Sequence, residues 1–263
     1  MSHFGMWCVV ILTAAGAPAR TEGPARELVV HLGGGVSIEF VLIPAGQFTM
    51  GDEKGWSWEK PVHKVTITKP FYLGRYEVTQ EQWQAVMGRN PSRFRGPKNP
   101  VDSVGWQSCQ DFAARLSEKF GAGGARFSLP TEAQWEYACR AGTTTRYSFG
   151  DDPYAGGLDD YAWWGMNAKG TTHPVGQKKP NAWGLYDMHG NVFEWFADRW
   201  AEDYYGKSPA EDPGGPAAGD SRGLRGGSWS LSDPRVFRCA FRYPHTRTAR
   251  IDNYGFRVAR TVF

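Results

Sequence analysis

The stretch Asn181–Trp200, NAWGLYDMHGNVFEWFADRW, constrains this chain more than any other. It sets Trp183, Leu185, Tyr186, Phe193, Trp195, Phe196 and Trp200 around a polar centre of Asp187, Gly190, Asn191 and Glu194. So much apolar surface must leave water, and the converging oxygens must be satisfied inside it, so the segment reads as a core with a site in it. Asp187 and Glu194 are carboxylates, Gly190 leaves a backbone carbonyl open between them, and Val192 offers another. Hard oxygen donors bent around a glycine turn are those that calcium takes. The other reading is that Asp187 and Asn191 only bond to their own turn, and on spacing alone that reading is favoured.

A chain of 263 residues can bury a sizeable core as one large domain or two small ones. Its 33 Gly, 17 Pro and 12 Trp point to a loop-rich fold rather than a helical bundle. A net charge of +3 is too small to suggest a nucleic-acid binder. At the N-terminus, the apolar run Met6 to Ala15 followed by Ala17-Pro18-Ala19 reads as a signal peptide over 1–19, although its leading segment lacks Lys and Arg. The expectation is a periplasmic or secreted monomer with no transmembrane segment in the mature chain, since the run is too short to span a bilayer.

Residues 20–37 read as a linker and first strand, with one domain over 38–263. Leu28 to Leu32, the break at Gly33 to Gly35, and the alternation of Val36, Ile38, Phe40 and Leu42 predict a hairpin. Met50 to Pro61 reads as a loop, and the segment from Val62 to Thr79 as two short strands. Three helices are marked. Thr79 with Gln82, and Thr131 with Gln134, are capping-box patterns, closed by Gly88 and Gly142. Between them, Trp106, Cys109, Phe112, Ala113, Leu116 and Phe120 make one apolar face over about Val104 to Phe120. Thr143 to Lys179 and Ala201 to Gly223 read as long ordered loops, which in a compact domain usually exist for function.

Several segments in consistent order carry a family resemblance: FTMGDE from Phe48, PVHKVTITKPFYLGRYEVTQEQW from Pro61, NPVDSVGW from Asn99, LPTEAQWEYACRAGT from Leu129, PNAWGLYDMHGNVFEW from Pro180, RGGSW from Arg225 and GFRVAR from Gly255. Together they span about Ile38 to Arg260 and resemble the formylglycine-generating enzyme, or sulfatase-modifying-factor, family. The resemblance implies a single α+β domain with little regular secondary structure, a variant of the C-type lectin fold. It also reverses the weighting of the central stretch. Calcium is typical of these enzymes, and the resemblance implies one site with Asp187 and Glu194 as side-chain ligands and Gly190 and Val192 as carbonyl ligands. A second site of the family falls near Tyr161 to Gly170, where Trp163 and Trp164 replace an asparagine and a carbonyl ligand.

Activity is where the resemblance breaks. The enzymes oxidise a substrate cysteine to formylglycine with copper held by two cysteines. Leu231 and Val236 occupy those positions. A branched alkyl group cannot ligate Cu(I), which thiolates select, so copper is not expected. Ser228 matches the enzymes' active-site serine. The resemblance implies a Cys139–Cys239 disulfide, which suits an oxidising compartment, while Cys109 reads as a buried thiol and Cys8 leaves with the signal peptide. A catalytic role for Cys109 or Cys239 has no base beside it in sequence. No G-x-S-x-G elbow, H-E-x-x-H motif or Gly-rich phosphate loop is present.

The C-terminal segment repeats arginine at 225, 235, 238, 242, 247, 250 and 257. These side chains are expected to make planar bidentate bonds to carboxylates and carbonyls. A nucleic-acid patch is disfavoured, because Asp233 and Asp252 interrupt it. In the same fold, the variable proteins of diversity-generating retroelements end in a similar segment that displays exchangeable residues. Ser230, Leu231, Ser232, Asp233, Phe237, Phe241, Tyr243 and His245 sit at those places and form the candidate ligand surface. Two functions follow. One is a calcium-ordered module that binds a protein, peptide or glycan. The other is an oxidoreductase that modifies a peptide or protein side chain by altered chemistry.

Overall fold

Two threonines start helices where their spacing to glutamine predicts. In the computed structural model, which describes residues 26–154 and 157–262, the Thr79 N–H donates to Gln82 Oε1 at 2.9 Å, and the Thr79 hydroxyl accepts from the Gln82 N–H. This box opens α1 (Gln80–Met87). Thr131 and Gln134 repeat it at the start of α3 (Glu132–Arg140). Each cap satisfies backbone donors that the first turn leaves open and contributes about 1 kcal/mol. Between them, α2 (Trp106–Phe120) buries Cys109, Phe112, Ala113 and Leu116 on the face their spacing defines.

The hairpin forms as β1 (Glu27–Gly33) and β2 (Val36–Ile43). It continues into a five-stranded antiparallel sheet with β5 (Phe71–Gly74), β11 (Ala259–Thr261) and β6 (Phe127–Ser128), in the order β1, β2, β5, β11, β6. The residues that sequence assigns to a linker and first strand are therefore an edge of the main sheet from Glu27 onward. The signal-peptide segment 1–19, Cys8 and the start of the linker lie outside the described residues. A second ribbon pairs β3 (Gly46–Met50) with β4 (His63–Ile67). The third sheet runs β10 (Tyr254–Gly255), β7 (Phe193–Arg199), β8 (Ser221–Arg225), β9 (Tyr243–Thr246), with β10 and β7 parallel. The α+β class and the scarcity of long elements agree with the sequence reading.

Two segments read as loops contain regular pieces. A single helical turn, α4 (Leu158–Tyr161), interrupts 143–179. A short 3-10 turn at Tyr204–Lys207 and the first residues of β8 fall within 201–223. A 3-10 turn at Ser57–Glu59 likewise sits in the loop after Met50 and buries Glu59. These pieces are too short to impose a hydrophobic period on the sequence.

The central stretch ties the layers together. Trp195 is fully buried, and its indole N–H donates to the Val104 carbonyl at 3.0 Å. The Trp106 indole N–H donates to the Phe196 carbonyl at 2.8 Å, fixing α2 across β7. Phe112, Trp83 and Phe256 pack against one another in the same core, and burying each phenylalanine side chain contributes roughly 1.5–3 kcal/mol. On β8, Gly223 leaves space that the fully buried Phe196 ring fills, since a Cβ there would stand 1.8 Å from Phe196 Cζ.

Gly223→Ala is expected to lose about 1–3 kcal/mol of stability through overpacking. Gly206→Ala, whose added methyl meets only Pro61 Cδ at 3.8 Å, is expected to stay within about 0.5 kcal/mol of wild type. Denaturant unfolding of both variants checks the difference.

Candidate functional site

Arginines of the C-terminal segment hold the site together from behind, as their number predicts. Arg242 makes a bidentate pair with Glu132, with Nε donating to Oε1 and Nη2 to Oε2, both at 2.7 Å. Arg238 clasps Glu59 with Nη1 and Nη2 and reaches Asp52 with Nη1. Arg257 binds both oxygens of Glu194 at 2.7 Å and caps the carbonyls of Tyr186 and Gly74. Arg225 donates to Glu132, to the Tyr205 hydroxyl and to the Cys239 carbonyl. Its Nη1 also lies 2.9 Å from Glu136 Oε2, but the aligned hydrogen bond of Nη1 goes to Cys239, so this contact is mainly electrostatic. All four guanidiniums are buried. Burial alone would raise the Glu136 carboxyl, yet Arg140 and Arg225 hold it below its ordinary value. Arg235, Arg247 and Arg250, in contrast, are exposed.

At the predicted metal site, Asp187 and Glu194 are both buried, and a third carboxylate, Glu77, joins them. Glu77 accepts from the Val192 N–H at 3.0 Å and from the Asn191 amide at 2.8 Å. Asp187 Oδ2 accepts from the Gly176 N–H at 2.7 Å, while its Oδ1 is buried with no hydrogen-bond partner. Glu194 Oε2 takes bonds from Arg257 and the Trp135 indole, whereas Oε1 takes one from Arg257 and keeps a lone pair. Three carboxylates thus face one guanidinium. Burial pushes Asp187 up to about 6 and Glu77 well above the ordinary range, the latter helped by Asp187 and Glu194. An orphaned carboxylate oxygen in a cluster with excess negative charge fits a hard cation. Gly190 has φ of 129°, and a Cβ there would meet the Trp163 carbonyl at 2.5 Å, so the turn accepts only glycine.

Aromatic packing occupies the neighbourhood of the family's second calcium site. Trp163 stacks on His173 with centroids 3.8 Å apart, and Lys178 Nζ lies 4.0 Å from its ring. The Trp164 indole N–H donates to Asp159 at 2.7 Å.

Ser228 is buried and shares the Asn253 amide with Ser230, at 3.1 and 2.8 Å. Leu231 and Val236 are half-buried against Phe237, Trp164 and their neighbours as alkyl packing groups. The proposed ligand residues separate into two classes. Ser230, Ser232, Tyr243 and, in part, Leu231, Asp233 and His245 reach the surface. Phe237 and Phe241 do not, and their place in the candidate surface is corrected. The 3-10 turn at Pro234–Phe237 swings Phe237 into an apolar cluster with Tyr147, Leu158 and Trp164, and Phe241 lies 4% exposed under Trp56.

Tyr243 and His245 stand two residues apart on the edge strand β9 and so face the same way. Aromatic contacts run from Trp58 to Trp56, Phe241, Tyr243 and His245, with centroids 5.1–6.5 Å apart. Sequence reasoning missed Trp56 and Trp58, whose only signal was two tryptophans in a short loop, WSW. It also missed Glu77, a lone acid between Tyr76 and Val78.

Cys139 and Cys239 are brought together with sulfurs 3.5 Å apart, as two thiols. Cys109 is buried separately on α2. His189 adds its Nε2 at 3.9 Å from the Cys139 sulfur. Its Nδ1–H donates to the Phe237 carbonyl at 2.7 Å, and burial lowers it to about 4, so the ring is neutral.

Asp198, beside this frame, accepts from the Glu132 N–H at 3.2 Å; burial first, then the Glu132 charge, push it up to about 8. The folded chain therefore holds this proton more tightly than the unfolded chain, and stability falls as pH rises from about 4 to about 8. Asp198→Asn keeps the acceptor and removes the titration. Its stability is expected to be flatter over that window, by up to a few kcal/mol, when unfolding is followed against pH.

Residues 36–262 match the Sulfatase-modifying factor enzyme 1-like domain. The Formylglycine-generating enzyme of Streptomyces coelicolor is 30% identical over 286 residues, covering 83% of this chain and 88% of that protein. Serine/threonine-protein kinase pkn1 of Chlamydia pneumoniae is 34% identical over 254 residues and 85% of this chain, which spans only 38% of that protein's length. Treponema denticola variable protein 1 superposes with a TM-score of 0.82 at 33% identity, covering 90% of this chain and 99% of that one. PvdO from Pseudomonas aeruginosa gives 0.79 at 31%, covering 91% and 100%. With its arginine frame, its acidic centre and this match over nearly the whole described chain, the protein belongs to the sulfatase-modifying-factor, or formylglycine-generating-enzyme-like, domain family.

Proposed function

We propose that this domain is an exported binding module for a protein, peptide or glycan, and that it does not form formylglycine. The observation that carries the reading is the pair of alkyl side chains, Leu231 and Val236, packed into apolar surroundings where the family's enzymes place their copper thiolates. Hydrocarbon in both places leaves Ser228 without a thiolate pair from this segment. Around it, the edge strand β9 and the WSW loop present Tyr243, His245 and Trp56, with Ser230 and Ser232 as hydrogen-bonding groups. Rigid aromatic rings give contact area at low entropic cost. The likeness to a protein named variable protein 1 supports a display role for the same segment.

In this reading, calcium binds at Asp187 and Glu194 with the Gly190 and Val192 carbonyls, and Glu77 lies beside them. Its work is to neutralise the acidic centre and hold the turn on which β7 begins. The orphaned Asp187 oxygen supports the assignment.

Two measurements test the proposal. Copper-loaded protein incubated with a cysteine-containing peptide is expected to leave the peptide mass unchanged, and aldehyde formation would overturn the reading. Binders selected on a peptide library or glycan array are expected to lose at least about tenfold in affinity to Tyr243→Ala, with thermal stability preserved; unchanged affinity would place binding elsewhere. Calcium has its own readout. Chelation by EGTA is expected to lower the melting temperature of wild type and not of Asp187→Asn, and equal sensitivity would remove the site.

A further inference from the structure

We propose that Cys139, His189 and Cys239 form a zinc site inside the domain. The three ligand atoms lie within 4.8 Å of one another, and all three residues are buried. The two sulfurs are 3.5 Å apart and the Cys139 sulfur is 3.9 Å from His189 Nε2. A tetrahedral ion bonded to sulfur at about 2.3 Å sets its ligand atoms roughly 3.8 Å apart, so two edges of the tetrahedron are already drawn.

The imidazole is oriented as a ligand. Nδ1 carries its proton to the Phe237 carbonyl at 2.7 Å, which leaves the Nε2 lone pair facing inward. A backbone carbonyl on the far nitrogen is the usual outer partner of a metal-bound histidine. Nε2 now accepts from the Ser148 hydroxyl at 2.8 Å and, weakly, from the Ser148 N–H at 3.3 Å. Binding an ion exchanges these bonds for a metal bond and leaves the Ser148 oxygen beside the remaining coordination position.

Charge selects the metal. Two thiolates and one neutral imidazole prefer a soft or borderline cation, and in a buried site the divalent ion makes the cluster neutral. Zinc does this without redox chemistry. The three ligands come from α3, from the central turn and from the segment before β9, so the ion would fasten the helix that carries Glu132 and Glu136 to the chain that carries the arginines. A disulfide between the same sulfurs would tie only two of these three and leave His189 to its hydrogen bonds with Phe237 and Ser148.

The test uses the full chain, freed of any tag, and reads metal content together with non-reducing peptide mapping. About one zinc per chain, with no linked Cys139–Cys239 peptide, is the expected result. Titrating the thiols with a mercurial should release that zinc in parallel. Cys239→Ser and His189→Gln should each cut retained zinc at least about tenfold, while Cys109→Ser, remote on α2, should leave it unchanged. A linked peptide without zinc would overturn the proposal in favour of a disulfide. Free thiols with no zinc, after refolding wild type with zinc present, would overturn it outright, and that arm holds even if the ligand variants fail to fold.

Discussion

Buried bidentate arginine–carboxylate pairs are the interaction on which the rest of this structure depends. Arg238–Glu59, Arg242–Glu132 and Arg257–Glu194 each join the last fifth of the chain to a segment far upstream, and each guanidinium is matched by two nearly equal bonds. Taking such charges out of water is costly, and their mutual attraction offsets that cost only when geometry is good and the remaining donors are satisfied. Here the spare donors find carbonyls of Tyr186, Gly74, Trp58, Ala201 and Arg235. The pairs therefore act as directional fasteners in a domain whose strands are short and whose connections are long. A lysine in any of these places would supply the charge but not the planar fork.

This frame decides what the C-terminal segment can expose. With Arg225, Arg238, Arg242 and Arg257 facing inward, the segment turns the residues between them outward or onto small apolar clusters, according to local backbone geometry. The edge strand β9 exposes Tyr243 and half-exposes His245, and the chain before it buries Phe237 and Phe241. A surface of this kind is rigid without being part of the main core, which suits recognition, since ordering cost has been met by folding rather than by binding.

The acidic centre is the counterpart of the frame. Glu77, Asp187 and Glu194 converge beneath β7, one arginine answers them, and an Asp187 oxygen remains without a partner. Natural interiors rarely leave such an atom unsatisfied. The same central turn places His189 against two sulfurs. One short stretch thus contributes Asp187 to a hard oxygen cluster and His189, two residues on, to a soft sulfur–nitrogen cluster.

What the sequence by itself determined was whatever depends on neighbours a few residues apart. The capping boxes at Thr79 and Thr131, the apolar face of α2, the first hairpin and the ordered series of family segments were all legible, because each is written in local spacing. The inward use of arginine was legible too, since its planar fork demands carboxylates and carbonyls. The tertiary structure alone decided which carboxylates these would be. Glu77 meets Asn191 across 114 positions, and Arg238 meets Glu59 across 179. The tertiary structure also decided that Phe237 turns inward, because a four-residue 3-10 turn sets the direction of its side chain. Contacts over such separations come from chain topology, which no short-range pattern encodes, and the direction of one side chain in a loop is set by the cavity it fills.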